Sequence, residues 1–206
     1  AIDANRQLAA LYVDLGRFSE AETIFIDTTA WMRARLDASH PDMARAYNSL
    51  AIVAWERGDL PRAVRFQRQA VAAWRKSATP GLISGGTFNL AMILHSAGED
   101  REALLLAEEA IALRAATFGP SHELVGDSQR LAGEILAALG RDAEARKALE
   151  SAVRLTRAGF GDNHSHTRRA EISLALQRAR QGAADAMAQL VRYGEAQGSD
   201  IELRKN

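Results

Sequence analysis

The chain has 206 residues, 47% of them apolar and 25% charged, a composition that excludes a disordered or fibrous chain. Its 26 basic and 26 acidic residues cancel, so no net field favours a nucleic-acid partner. Cysteine is absent, which excludes disulfides and thiolate metal sites, and no apolar run reaches the ~18 residues that a membrane-spanning helix requires.

The first predicted element, "NRQLAALYVDL", carries Leu8, Leu11 and Leu15 at three- and four-residue spacing and ends at Gly16. Ser19 is placed to cap the helix that follows, and Trp31 on that helix reads as core. Next comes "YNSLAIVAWER", ended by Gly58, then a helix capped by Asp59 with Pro61 in its first turn and Trp74 as a packing residue. The segment Gly81 to Thr87, "GLISGGT", has glycines spaced as in a phosphate loop, but no Lys follows Gly86 and a helix precedes it. It reads as a flexible entry into the fifth helix, "FNLAMILHSA", with Leu90, Ile93, Leu94 and Ala97 on one side and Gly98 at its end. Asp100 then caps a helix striped by Ala103, Leu106, Ala110 and Leu113. Another hairpin turns at Gly140, and a decaying one turns at Gly182. The final helix, "AADAMAQLVRY", places Met187, Leu190 and Val191 on one side, where they cover the apolar face of the last repeats. The last ten residues are polar and expected to be poorly ordered.

The turn glycines Gly16, Gly58, Gly98 and Gly140 stand 42, 40 and 42 residues apart, and one more step of 42 reaches Gly182. Ala21, Ala63, Ala103 and Ala145 each follow a glycine by five residues, and Ala9, Ala51, Ala91, Gly133 and Ala175 each precede one by seven. Small groups at both places let two antiparallel helices approach closely. The chain is therefore a tandem array of helical hairpins.

These residues resemble the tetratricopeptide repeat, whose signature runs from a Leu-small pair through a Gly to a later Ala. Here those are Leu8-Ala9, Gly16 and Ala21; Leu50-Ala51, Gly58 and Ala63; and Leu90-Ala91, Gly98 and Ala103. In the fourth repeat Leu131-Ala132 falls one residue early relative to Gly140. The ~42-residue period, with "LDASHPDMA", "FGPSHELVG" and "FGDNHSHTR" in the linkers, is similar to the kinesin-light-chain subclass. The resemblance implies an all-α fold, a right-handed α-solenoid of about five hairpins over 1–40, 41–80, 81–121, 122–163 and 164–195, with 196–206 a polar tail. Arg outnumbers Lys 23 to 3, which fits a GC-rich bacterial source.

Chemistry is sparse. His40, His122 and His164 each recur 24 residues after a glycine, which suits a capping role in the linker; "DNHSH" with Asp162, His164 and His166 lacks the ligand count of a metal centre. No nucleophile elbow or activated nucleophile stands out, so no enzymatic activity, cofactor or metal is expected. In the tetratricopeptide family first helices line the concave surface, and in the subclass an Asn-Asn pair there holds the backbone of an extended peptide. Carried over, the resemblance nominates Arg6, Arg45, Asn48, Trp55, Asn89, His95, Arg130 and Glu134 as the groove, with Asn48 and Asn89 each matching half of the pair. A bridge between neighbouring repeats is the competing role for the two asparagines, and partial burial is that for Trp55 and His95. Arg45 and Arg130 would select carboxylates. The expected function is that of a protein- or peptide-binding scaffold in the cytoplasm. The alternative is the ligand-binding region of a larger bacterial regulator, such as a serine/threonine kinase or transcription factor. RNA binding and self-association through an exposed end are further alternatives, the former disfavoured by zero net charge. The chain starts without Met inside a helix, as a cut piece would.

Overall fold

A computed structural model describes residues 2–37, 40–77, 80–183 and 185–193, and among these every regular element is helical. In order they are α1 (Ile2–Asp14), α2 (Phe18–Arg33), α3 (Pro41–Glu56), α4 (Leu60–Lys76), α5 (Pro80–Ser96), α6 (Asp100–Phe118), α7 (Glu123–Ala138), α8 (Asp142–Phe160) and α9 (Ser165–Arg180). Residues 185–193 are helical as well. The chain divides into two compact bodies, Ala1–Leu113 and Arg114–Asn206. In the first, α1 packs on α2, α2 on α3, α3 on α4 and α4 on α5; in the second, α7 packs on α8 and α9, and α8 on α9.

The turn glycines do what the spacing requires. Gly16, Gly58, Gly98, Gly140 and Gly182 have φ of 70, 77, 77, 74 and 85°, a left-handed conformation that a side chain would strain. The residue after each donates its N–H to the carbonyl five residues back, as Asp59 does to Ala54 and Glu99 to Leu94, closing the helix end. The linker histidines are caps: Nδ1 of His40, His122 and His164 accepts from the backbone N–H of Asp42, Leu124 and His166, each at 3.2 Å. Asp59 caps α4 through the N–H of Arg62. Ser19 and Asp100 do not cap, because α2 and α6 begin earlier than expected and both residues lie inside the helices.

Small residues make the hairpin contacts. Ala9, Ala21, Ala51, Ala63, Ala91, Ala103 and Ala145 are fully buried. In the fourth repeat a Cβ on Gly133 would stand 2.6 Å from Leu149 Cγ and 3.2 Å from the Ala145 carbonyl, so Gly133, and not Ala132, is the contact residue. Ala51 and Ala63 share one buried cluster with Ala54 and Ile93. Ala51→Leu or Ala63→Leu is therefore expected to overpack that crossing and cost about 1–3 kcal/mol in chemical denaturation. An unchanged midpoint for both variants would contradict the assigned contact.

Four expectations about packing are corrected. Trp31 is 46% exposed, because Phe25, Thr28, Thr29 and Met32 take the inner face of α2 and Trp31 instead lies under the Arg35 guanidinium at 4.2 Å. Leu8, Leu11 and Leu15 are 44 to 61% exposed: α2 covers the corresponding face of α3, burying Leu50 and Val53, and no described helix does so for α1. Gly81 to Thr87 is no flexible entry but part of α5, where Gly86 lies so close to Trp74 that a Cβ would come within 2.5 Å of the ring. In residues 185–193 it is Ala186 that is buried, while Met187 and Val191 point to solvent, and the Tyr193 hydroxyl donates to Glu171. The expected disorder of the last ten residues falls outside the described residues.

Candidate peptide-binding site

In the first body, α1, α3 and α5 bring Arg6, Arg45, Asn48 and Asn89 around one open recess of about 480 Å³, together with Ser49, Trp74, Gly85 and Gly86. The floor is fixed by a buried glutamine. Gln67 on α4 has no exposed surface, and its Nε2 donates to Asn48 Oδ1 and to the Gly86 carbonyl, both at 3.0 Å. Asn48 Oδ1 also accepts from Asn89 Nδ2 at 3.1 Å. The two asparagines therefore bridge consecutive repeats. This bond uses one acceptor of Asn48 and one donor of Asn89. Asn48 Nδ2 and Asn89 Oδ1 form no hydrogen bond among the described residues, leaving a donor group on one asparagine and an acceptor on the other.

Gly85 occupies the repeat position held by Arg45 one repeat earlier, and a Cβ built on it meets nothing within 4 Å. The missing side chain opens the recess at that edge. In an exposed helix interior Gly is less favourable than Ala, so Gly85→Ala is expected to raise stability by about 0.5–1 kcal/mol. A fall in the denaturation midpoint would show that the space is not empty.

The other expected groove residues are placed differently. Trp55 is half-buried against Ala51, Ala54, Ala63 and Ile93, and its Nε1 donates to Ser96 Oγ at 3.0 Å. His95 Nδ1 lies 2.5 Å from Asp100 Oδ1. Trp55 ties α3 to α5 and His95 ties α5 to α6, and neither lines the recess. Arg45 pairs with Asp42 one turn earlier at 2.8 Å, but both remain nearly half exposed.

Arg130 and Glu134 belong to the second body and are bonded to each other through two contacts of 2.8 Å. Arg130 also donates from Nε and Nη2 to Asp127 Oδ1, and its side chain is only 11% exposed. Burial alone would lower its pKa; the attraction of Glu134 and Asp127 outweighs this, and the net shift is upward. A guanidinium so neutralised is no selector of carboxylates, which corrects the expected role of Arg130. Glu134 is further occupied by the Ser173 hydroxyl at 2.5 Å.

Sequence reading passed over Gln67 and Trp74 as parts of this site. Gln67 had a visible signal: nine residues after the other turn glycines stand Phe25, Ala107 and Leu149, all apolar.

Helical hairpins with small-residue crossings, glycine turns and a polar face across successive first helices define a repeat scaffold built to bind other molecules along its surface. The tetratricopeptide repeat model matches residues 1–76 and 85–158, and the chain belongs to that family of protein-binding scaffolds. Among solved structures, the chain is similar to a kinesin light chain of nearly identical TPR-like repeats from Podosopora anserina. That match has 22% identity and a TM-score of 0.78, covering 98% of this chain and 96% of that one. It is also similar to BtubC from P. vanneervenii (18% identity, TM-score 0.76, 95% and 78% covered). A third is a Rap protein complexed with competence and sporulation factor (16% identity, TM-score 0.75, 98% and 55% covered). At these identities the likeness is one of fold. No curated protein sequence matches the chain.

Proposed function

We propose that the first body binds an extended polypeptide in the recess of α1, α3 and α5 and carries out no chemistry of its own. The observation that carries this is the Asn48–Asn89 pair, which bonds to itself and still offers one amide donor and one carbonyl acceptor to the recess. Those are the two groups that complement a peptide unit, whatever its side chains. Arg6 and Arg45 flank them and favour a partner with acidic residues nearby, a preference that weakens with salt. A Rap protein of similar fold was solved with competence and sporulation factor bound, which supports the reading that hairpins of this kind hold a partner.

The test uses linear peptides selected from a display library on the intact protein, with affinities measured by fluorescence anisotropy. Gly85→Trp fills the open edge of the recess without meeting another atom at Cβ, so it is expected to weaken the selected peptides by tenfold or more. Asn89→Ala removes one amide and is expected to cost about 0.5–1.5 kcal/mol of binding. Peptides that bind the folded Gly85→Trp variant with undiminished affinity would move the site elsewhere.

A further inference from the structure

Between α1, α2 and α3 lies a second cavity of about 130 Å³. We propose that it binds an uncharged small molecule made of one ring and one hydrogen-bonding group, the chemistry of a phenol. The repeat register indicates what the space suits. Sixteen residues after the first four turn glycines stand Met32, Trp74, Arg114 and Thr156; twelve before the next glycine stand Ala46, Gly86, Ser128 and Ala170. In the second of these pairs the Trp74 ring fills the crossing, so close that a Cβ on Gly86 would lie 2.5 Å from it. In the third, Arg114 bonds to Ser128 Oγ at 2.9 Å. In the first, Met32 and Ala46 line the cavity with Phe25, and the three are 4, 6 and 6% exposed. A flexible thioether chain thus stands where the next repeat has an indole. The room beside it is close to that of a cavity of about 150 Å³ that accepts benzene, so one ring fits and a fused pair does not.

Thr28 sets the polar end of the ligand. It lines the same cavity, is 7% exposed, and its hydroxyl has no hydrogen-bond partner among the described residues. The three following repeats place Ala70, Ala110 and Ala152 at that position, all fully buried, so the hydroxyl is peculiar to this cavity. A buried hydroxyl without a partner is costly, and a ligand bringing one polar atom to it recovers that cost. The charged groups at the cavity exclude an ion. Arg45 donates to Asp42 at 2.8 Å, and Arg6 is engaged by an interaction of its own. No counter-charge stands in reserve, and an ion set against Phe25, Met32 and Ala46 would give up its hydration uncompensated. Arg6, Arg45 and Ser49 also border the recess, whereas Gly85 borders the recess alone.

Titration calorimetry of the intact protein at neutral pH with phenol, toluene, benzoate, benzylamine and 1-naphthol tests the site. Phenol should bind saturably, and the fused rings of 1-naphthol should not enter. Toluene keeps the ring without the hydroxyl and should bind about 3- to 10-fold more weakly, the range of one neutral hydrogen bond. The benzoate anion and the benzylammonium cation should each bind about tenfold or more weakly than phenol. Thr28→Val keeps the side-chain shape and should erase the difference between phenol and toluene. Met32→Trp combined with Ala46→Gly copies the packing of the next repeat into the cavity, so this double variant should stay folded and lose phenol. Gly85→Trp alters the recess alone and should leave phenol binding intact, so a failed recess and a failed cavity are distinguishable. The proposal is overturned if phenol does not bind saturably, or if benzoate, benzylamine or 1-naphthol binds as tightly. It is equally overturned if Thr28→Val preserves the preference for phenol over toluene, or if the folded double variant binds phenol as before.

Discussion

Asp127→Ala is expected to destabilise the second body by about 3–5 kcal/mol, the cost of removing one partner from a buried ion cluster. Asp127 is 3% exposed and sits among three cationic or ionisable groups. Its Oδ1 accepts two N–H groups of Arg130 at 3.2 Å, Oδ2 lies 3.6 Å from Arg114 Nη1, and His166 Nδ1 approaches Oδ1 at 3.2 Å. Arg114 itself is 6% exposed and donates to the Leu124 carbonyl at 2.8 Å and to Ser128 Oγ at 2.9 Å. Burial, with the nearby charge of Arg130, lowers its pKa despite the pull of Asp127, which marks a guanidinium already costly to keep charged. Without the carboxylate that cost is uncompensated. Asp127→Asn retains an acceptor but not the charge and should fall between the wild type and Asp127→Ala. The readout must be far-UV circular dichroism in urea, because Trp31, Trp55 and Trp74 all lie in the first body. A loss below about 1 kcal/mol for Asp127→Ala would mean that the cluster is wetter than its exposure indicates.

The hairpins, their turns and their tight crossings were legible because each rests on a short-range requirement that repeats. A left-handed turn calls for Gly, a close crossing calls for Ala or Gly, and a linker cap calls for a side-chain acceptor. Five periods make such signals visible against the noise of single positions. Even the doubtful fourth register was decided by this logic, since Gly133 and not Ala132 meets Leu149. The site was less legible, because it depends on which face a side chain takes and on what its neighbours already bond. Position alone nominated Trp55, His95 and Arg130, and each turned out to be engaged by Ser96, by Asp100, or by Asp127 and Glu134. The informative residues were exceptions to the repeat. Gln67 stands where other repeats have Phe, Ala and Leu; Thr28 stands where they have Ala; Gly85 stands where they carry a charge. Gln177 is a fourth case: it replaces Leu11, Val53, Ile93 and Ile135 at its position, is 2% exposed and donates to Asp142 at 2.7 Å. A polar residue at a buried repeat position has to bond to something, so such exceptions point to networks before any coordinates exist.

Trp74→Ala is expected to cost about 3–5 kcal/mol in the first body, the usual range for deleting a buried aromatic side chain. Trp74 is 4% exposed and packs in one cluster with Met32, Met43, Tyr47, Ala70 and Ala73, with Leu82 and Ile83 against it. Across from it Gly86 supplies the space: a Cβ there would lie 2.5 and 2.6 Å from two ring carbons and 3.3 Å from Val71 Cγ2. The ring cannot swing aside in a filled core, so Gly86→Leu alone should overpack it and cost about 1–3 kcal/mol. The two losses should not add. A leucine at 86 occupies part of the void left by Trp74→Ala, so the double variant should be more stable than the sum of the single losses by roughly 0.5–3 kcal/mol. Trp74→Phe supplies the control. The indole N–H is buried without a partner among the described residues, so phenylalanine keeps most of the packing and gives up no hydrogen bond. It should cost less than about 1.5 kcal/mol. Urea denaturation by circular dichroism, on the wild type and all four variants, decides the matter. Strict additivity in the double variant would show that Trp74 and Gly86 are not partners, and that the recess floor is held by Gln67 alone.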